Sequence, residues 1–247
     1  MNRKSLFLSY ATLLTTTILL NSTAIAKTNK TPQNPSNNSS RITIKGIMDL
    51  SVLPVINGTI VQYIPSPYGH LDGLLLRNGE QVIFSSSLGE AVKRLVHPGQ
   101  DIIIRGLKAY KLPLIQAFSI GDQNGHIIEE DSLQTSHFPI PTIGPDYSVN
   151  GTIKTTIHNL QGQINGVILN DTTVIYIQPS DANNFKTLLT AGKTIYAKGA
   201  GSNNSLGKAI QARVLGTNAE NLVTLDDINA PPPGPPAGSP TYDNIRQ

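Results

Sequence analysis

The chain has 247 residues, of which 38% are hydrophobic, 14% charged and 5% aromatic, with 21 Gly, 17 Pro, no Cys and no Trp. That length admits two small domains, and a turn-rich, charge-poor composition suits β structure better than helix. The lack of Cys excludes disulfides, thiolate metal sites and a cysteine nucleophile, while the net charge of +3 conceals an uneven distribution. Residues 150–216 carry Lys154, Lys186, Lys193, Lys198, Lys208 and Arg213 against Asp171 and Asp181. The segment 122–146 holds Asp122, Glu129, Glu130, Asp131 and Asp146 and no Lys or Arg. A basic second half between acidic connectors reads as solvated surface or as an anion-binding face.

Residues 1–26 have the pattern of a secretory signal. Arg3 and Lys4 precede an apolar run from Leu6 to Leu20, and Ala24-Ile25-Ala26 supplies small residues at a cleavage site. The run is short and diluted by Thr15, Thr16 and Thr17, so it does not read as a membrane span. The expectation is a mature chain from Lys27 with no span after cleavage, periplasmic in a Gram-negative host or otherwise secreted. Residues 27–45 are polar and of low complexity, a disordered spacer with Arg41–Gly46 as a candidate lead-in strand.

The body of the chain is a duplicated unit. Asn57-Gly58-Thr59-Ile60 recurs as Asn150-Gly151-Thr152-Ile153, 93 residues on. Leu71-Asp72-Gly73-Leu74-Leu75-Leu76 recurs as Ile164-Asn165-Gly166-Val167-Ile168-Leu169, Arg105-Gly106 as Lys198-Gly199, and Gln116-Ala117 as Gln211-Ala212, where the offset has grown to 95. Within the first copy the pattern predicts strands at 58–64, 71–77, 80–85, 101–108 and 114–121. Asn78-Gly79 predicts a two-residue type I′ hairpin. Apolar residues at helical spacing predict a helix from Ser87 to Val96, with Ser87 as N-cap and Glu90 closing a capping box. The second copy repeats this order, with its helix at Ser180–Leu189 and a loose loop at Gly201–Gly207.

Three strands, a helix and two strands is the order of an OB barrel. The Gly58-Thr59-Ile60 start, the Asp72–Gly79 hairpin and the Pro98-Gly99-Gln100-Asp101-Ile102…Arg105-Gly106 stretch resemble bacterial secreted or periplasmic tandem OB-fold proteins, a group largely without assigned function. The resemblance implies an all-β fold of two tandem five-stranded barrels, each with a short helix between its third and fourth strands. The barrels are expected at 46–121 and 147–217, joined by an acidic, Pro-containing linker at 122–146 that carries His137-Phe138-Pro139-Ile140-Pro141. A Pro-rich disordered tail is expected at 218–247.

In such barrels the ligand face crosses the second and third strands. Leu74 and Leu76 share one side of strand two and Leu75 faces the other, a pattern that Val167, Leu169 and Ile168 repeat. Both sides are apolar, so the outer one needs a cover: the sister barrel, the linker, the lead-in strand or a ligand. Candidate ligand-binding residues are the aromatics Tyr68, Phe84, Tyr110 and Tyr176, with His70, Arg77, Lys111 and Lys198 beside them. Tyr176 is read as the counterpart of Phe84, and Phe84 reads first as core.

No catalytic pattern is found. The histidines His70, His97, His126, His137 and His158 lack metal-ligand spacing, and His70 with Asp72 offers one pair where a site needs three or four ligands. Glu129, Glu130 and Asp131 are chain neighbours in an expected loop, a poor basis for paired catalytic carboxylates. Ser85-Ser86-Ser87 reads as loop and helix cap. The expectation is a non-enzymatic exported binding or scaffold protein of the cell envelope, without cofactor or metal. Its partner would be an envelope protein or an anionic glycan. The alternative is a single-stranded nucleic-acid binder, which stacks bases on aromatics over a basic groove.

Overall fold

A computed structural model describes the backbone at 43–44 and residues 48–130 and 144–225, all within one unit, Ser40–Gln247. The expected signal sequence, most of the spacer, the His137–Pro141 stretch and the polyproline run lie outside the described residues.

The first barrel is built from β2 (Val55–Pro65), β3 (Leu71–Leu76), β4 (Gln81–Ile83), β5 (Asp101–Lys108) and β6 (Leu114–Asp122), with α1 (Ser86–Leu95) between β4 and β5. Around the barrel the order is β2-β3-β4-β6-β5 and back to β2, with β4 parallel to β6 and the other neighbours antiparallel. The second barrel repeats it with β8 (Asp146–His158), β9 (Ile164–Leu169), β10 (Val174–Tyr176), α2 (Pro179–Asn184), β11 (Thr194–Asn204) and β12 (Gly207–Gly216). This is the OB fold, twice in tandem. Three short strands add to the edges. β1 (Thr43–Ile44) pairs with β7 (Ile127–Glu129), β7 pairs with β6, and β13 (Leu222–Thr224) pairs with β12.

Repeated residues have repeated jobs. Arg105-Gly106 and Lys198-Gly199 mark the same irregularity, a register shift in the fourth strand against the fifth. A Cβ at Gly106 would stand 2.2 Å from the Gln116 carbonyl oxygen, and one at Gly199 would stand 1.8 Å from that of Gln211, so only glycine lets the strands close there. Inward-facing Leu74 and Leu76 join the core of the first barrel, and Val167 and Leu169 that of the second. Outward-facing Leu75 and Ile168 meet in a third cluster with Ile64, Ile157, Val174 and Ala209. The sister barrel is therefore the cover for the second apolar face. Burial of each Leu, Ile or Val there stabilises by roughly 1.5–3 kcal/mol.

Several local expectations are corrected. Ser85, not Ser87, is the N-cap of α1: it is extended, its hydroxyl accepts from Leu88 N, and Glu90 pairs with Lys93 instead of closing a box. The Asn78-Gly79 turn is not type I′, which needs positive φ at both residues. Only Gly79 has it (φ 86°), and the bonds Gly79 N to Leu76 O and Leu76 N to Glu80 O make a three-residue loop ending in a left-handed residue. Thr172 takes the same place in the second copy at φ 74°. The second helix is regular only over Pro179–Asn184. Its chain continues in turns, with Leu188 N and Leu189 N both donating to Phe185 O.

Boundaries shift as well. β7 falls inside the stretch expected as linker and β13 inside the expected tail, because edge strands take up residues whose composition gave no strand signal. The segment expected as a loose loop at Gly201–Gly207 is a tight hairpin, since β11 runs to Asn204 and β12 starts at Gly207. Its tip is anchored: Leu206 is buried in the core of the first barrel. The Ser202 hydroxyl donates to Ser66 O (3.1 Å), and Asn204 Nδ2 donates to Gly69 O (3.0 Å). The two residues by which the second copy is longer thus form a reach across to the first.

Candidate functional site

The barrels meet through the outer sides of their second and third strands, and side-chain amides lock the meeting. Gln62 Nε2 donates to Thr172 O (2.8 Å). Gln81, fully buried on β4, donates through Nε2 to Thr156 O (2.5 Å) and accepts from His158 N (3.0 Å). Both amides bond backbone groups of the sister barrel, and burial makes such bonds hard to lose.

The packing is not symmetric. Ile83 and Tyr176 are equivalent, since they pair with Gly73 and Gly166 of the second strand and with Gln116 and Gln211 of the fifth. Tyr176 fills its side of the interface, and its hydroxyl donates to Pro65 O (3.2 Å). Ile83 is too short to do the same on the other side. A cleft of about 350 Å³ remains between the barrels, lined by both Ile83 and Tyr176. Its walls include Ile64, Ile83, Ile157 and Leu160, and its polar groups include Asp72, His158 and Asn165. Asp72 and Asn165 are the same residue of the two copies. Asn165 Oδ1 and His158 Nδ1 are buried with no hydrogen-bond partner. Burial lowers the His158 pKa, which keeps the imidazole neutral at pH 7. Burial, with the charge of Asp72 second, pushes the Tyr176 hydroxyl far up, so it stays a donor.

The candidates named from the sequence do not gather in one groove. Phe84 is 4% exposed in the core of the first barrel and also lines the inter-barrel cleft. It is not the counterpart of Tyr176: Phe84 N donates to Asp72 O as Ile177 N donates to Asn165 O, so the pairing is Phe84 with Ile177. A slip of one residue turns a side chain to the opposite face of a strand. Tyr176 is in the interface, as described. Tyr68 is exposed in the loop after β2, and His70, also exposed, is close enough to α1 to lower the pKa of Glu90 as a lesser cause behind Lys93. Arg77 is exposed in the β3–β4 turn. Tyr110 is 86% exposed in the β5–β6 hairpin with Lys111 Nζ 5.0 Å from its ring centre. The loops of Tyr68 and Tyr110 contact different parts of the second barrel, one at Ser202 and Asn204, the other through Leu112 at Gly162. Lys198 is exposed on β11, with Nζ 5.9 Å from the Tyr196 ring centre.

Glu130, which follows β7, has a structural task. Glu130 is buried and accepts hydrogen bonds from the hydroxyls of Ser85 and Ser87, which fixes this chain segment on the start of α1. Among the described residues no three His, Asp or Glu are grouped to hold a metal ion, and no helix is long and apolar enough to cross a membrane.

The cleft residues Gln81, Ile83, His158 and Asn165 were not singled out by sequence reasoning. One signal was available: Asp72 and Asn165 hold the same place inside otherwise apolar strands, where a polar side chain needs a reason.

No family model and no curated protein matches the chain. Two solved structures of the single-stranded DNA binding protein from Thermus aquaticus are similar to it. A deletion mutant is 15% identical over 73% of this chain and 96% of that one, with a TM-score of 0.21. The wild-type form is 14% identical over 75% and 95%, with a TM-score of 0.20. At these scores the likeness bears on no site and no activity.

Proposed function

We propose that the chain is an exported, non-enzymatic binding protein of the bacterial cell envelope, in which two OB barrels act as one rigid body. The observation that carries this reading is the mutual burial of Leu75 and Ile168 with their neighbours. Each barrel closes the face that OB folds ordinarily offer to an oligonucleotide. Partners must then be met by other surfaces.

The outer side of β8 and β11 suits an anionic glycan. Ser148, Asn150, Thr152 and Lys154 alternate outward along β8, and Tyr196 and Lys198 pair with Asn150 and Ser148. This places hydroxyls, an amide, an aromatic ring and two ammonium groups side by side, with no carboxylate among them. Asp146, at the rim, is held by Arg213. Hydroxyl and amide groups can bond sugar rings, while the lysines meet acidic substituents.

Retention on immobilised sulfated dextran, compared with neutral dextran and immobilised oligo-dT, tests the partner. The expected result is salt-sensitive retention on sulfated dextran alone, lost when Lys154 and Lys198 are both changed to Ala. Stronger retention on oligo-dT at equal ionic strength would replace the glycan with single-stranded nucleic acid. N-terminal sequencing of the protein from envelope and cytosolic fractions tests export. A start at Lys27 in the envelope is expected, and an intact Met1 form confined to the cytosol would reject it.

A further inference from the structure

We infer that the inter-barrel cleft is a second, separate binding site, for an uncharged small molecule that joins an apolar body to a carboxamide. It does not depend on the glycan face, since it uses other residues on another side of the second barrel.

Size and lining set the class of ligand. A volume of about 350 Å³ falls at the small end of ligand sites, which run from roughly 300 to 1,000 Å³ and favour the seams between domains. The walls are apolar, from Ile64, Ile83, Phe84, Ile157 and Leu160, and call for an apolar body. Most polar groups of the lining are already paired within the protein. Gln81 bonds Thr156 O and His158 N, the Tyr176 hydroxyl donates to Pro65 O, and Asn159 holds the turn through Gln161 N and Gln163. The start of α1, which reaches the cleft at Ser85 and Ser86, is taken by Glu130. Asp72 likewise interacts within the protein. Two carboxamides are left over. Asn165 has its Oδ1 buried without a partner, and among the described residues no hydrogen bond reaches the exposed side chain of Gln161. Each amide carries donors and an acceptor, and a ligand carboxamide offers the same set in return. A charged ligand fares worse, because it must shed its water on entry. An anion finds no Lys or Arg in the lining, and a cation has to displace what Asp72 already meets.

Two variants probe the site. Ile83→Tyr installs the residue that stands at the equivalent place in the second copy and puts a ring into the cleft. Gln161→Ala removes an exposed amide on which no hydrogen bond of the described fold depends. Binding of 2-phenylacetamide, phenylacetate and 2-phenylethylamine to the full chain is measured by chemical-shift titration, with thermal unfolding as the check on folding. The amide is expected to bind about tenfold or more tighter than either charged analogue, with shifts centred on the cleft residues around Ile83 and His158. Gln161→Ala should weaken the amide about fivefold, as the loss of one hydrogen bond does. Ile83→Tyr should abolish its binding with the fold intact. A charged analogue that binds as tightly as the amide, amide binding that survives Ile83→Tyr or is unmoved by Gln161→Ala, or no binding of any probe at about 10 mM would each overturn the inference.

Discussion

At the residue scale, two side chains occupy places that physics disfavours. Thr172 holds the left-handed position that Gly79 holds in the first copy. An L residue there costs about 1–2 kcal/mol, more for a β-branched one, while glycine adds back about 0.5–1 kcal/mol of chain entropy. Thr172→Gly should therefore raise unfolding free energy by about 1 kcal/mol in denaturant titration, with no change at the Gln62 contact, which uses the Thr172 carbonyl. His158 is the other case. Its folded pKa lies below the usual 6.5, so between the two values the unfolded chain binds the extra proton. Stability from this group is complete above pH 6.5 and is lost as the pH falls toward the folded value. Unfolding midpoints measured from pH 7.5 to 5 should fall, and His158→Gln should flatten that part of the profile. An unchanged slope would assign the loss to other groups. Neither residue could be recognised in the sequence. Asn-Gly reads as one turn type by composition, yet the strand register selected another, and a lone histidine near a strand end gives no sign of burial.

At the element scale, the strands, both helices and the duplication were legible because their signals are local: period-two apolar residues, a capped helix and glycines at bulges. Pairings that depend on a single position were not. The count that matched Tyr176 to Phe84 was off by one, and that residue decides whether an aromatic ring faces a barrel core or the neighbouring barrel. The edge strands β7 and β13 escaped for a different reason, since short edge pairings draw on backbone groups more than on side-chain pattern. The β11–β12 hairpin was read as slack from its Gly, Ser and Asn content. Its order comes from outside, through Leu206 in the first core and two hydrogen bonds to the loop after β2. Leu206→Ala should cost about 2–5 kcal/mol, the range for a buried leucine. Hydrogen exchange should show faster opening of residues 202–207 and of the 66–70 loop together. Loosening of the hairpin alone would contradict the coupling.

At the scale of the whole molecule, the third apolar cluster makes the two barrels one cooperative unit. Calorimetry of the intact chain should give a single transition whose calorimetric and van't Hoff enthalpies agree. Ile168, fully buried in that cluster, is the residue to test. Ile168→Asp would place an unpaired charge among aliphatic side chains, and a buried charge without a partner is not tolerated. The barrels should separate, and the transition should split in two while the strand content by circular dichroism is kept. One sharp transition at the wild-type temperature would show that the cluster does not couple them. That one half covers the other also says something of each half by itself. Cut out of the chain, either module would present an uncovered oily plate. A single module should therefore self-associate through that plate, where the fused pair stays monomeric at the same face.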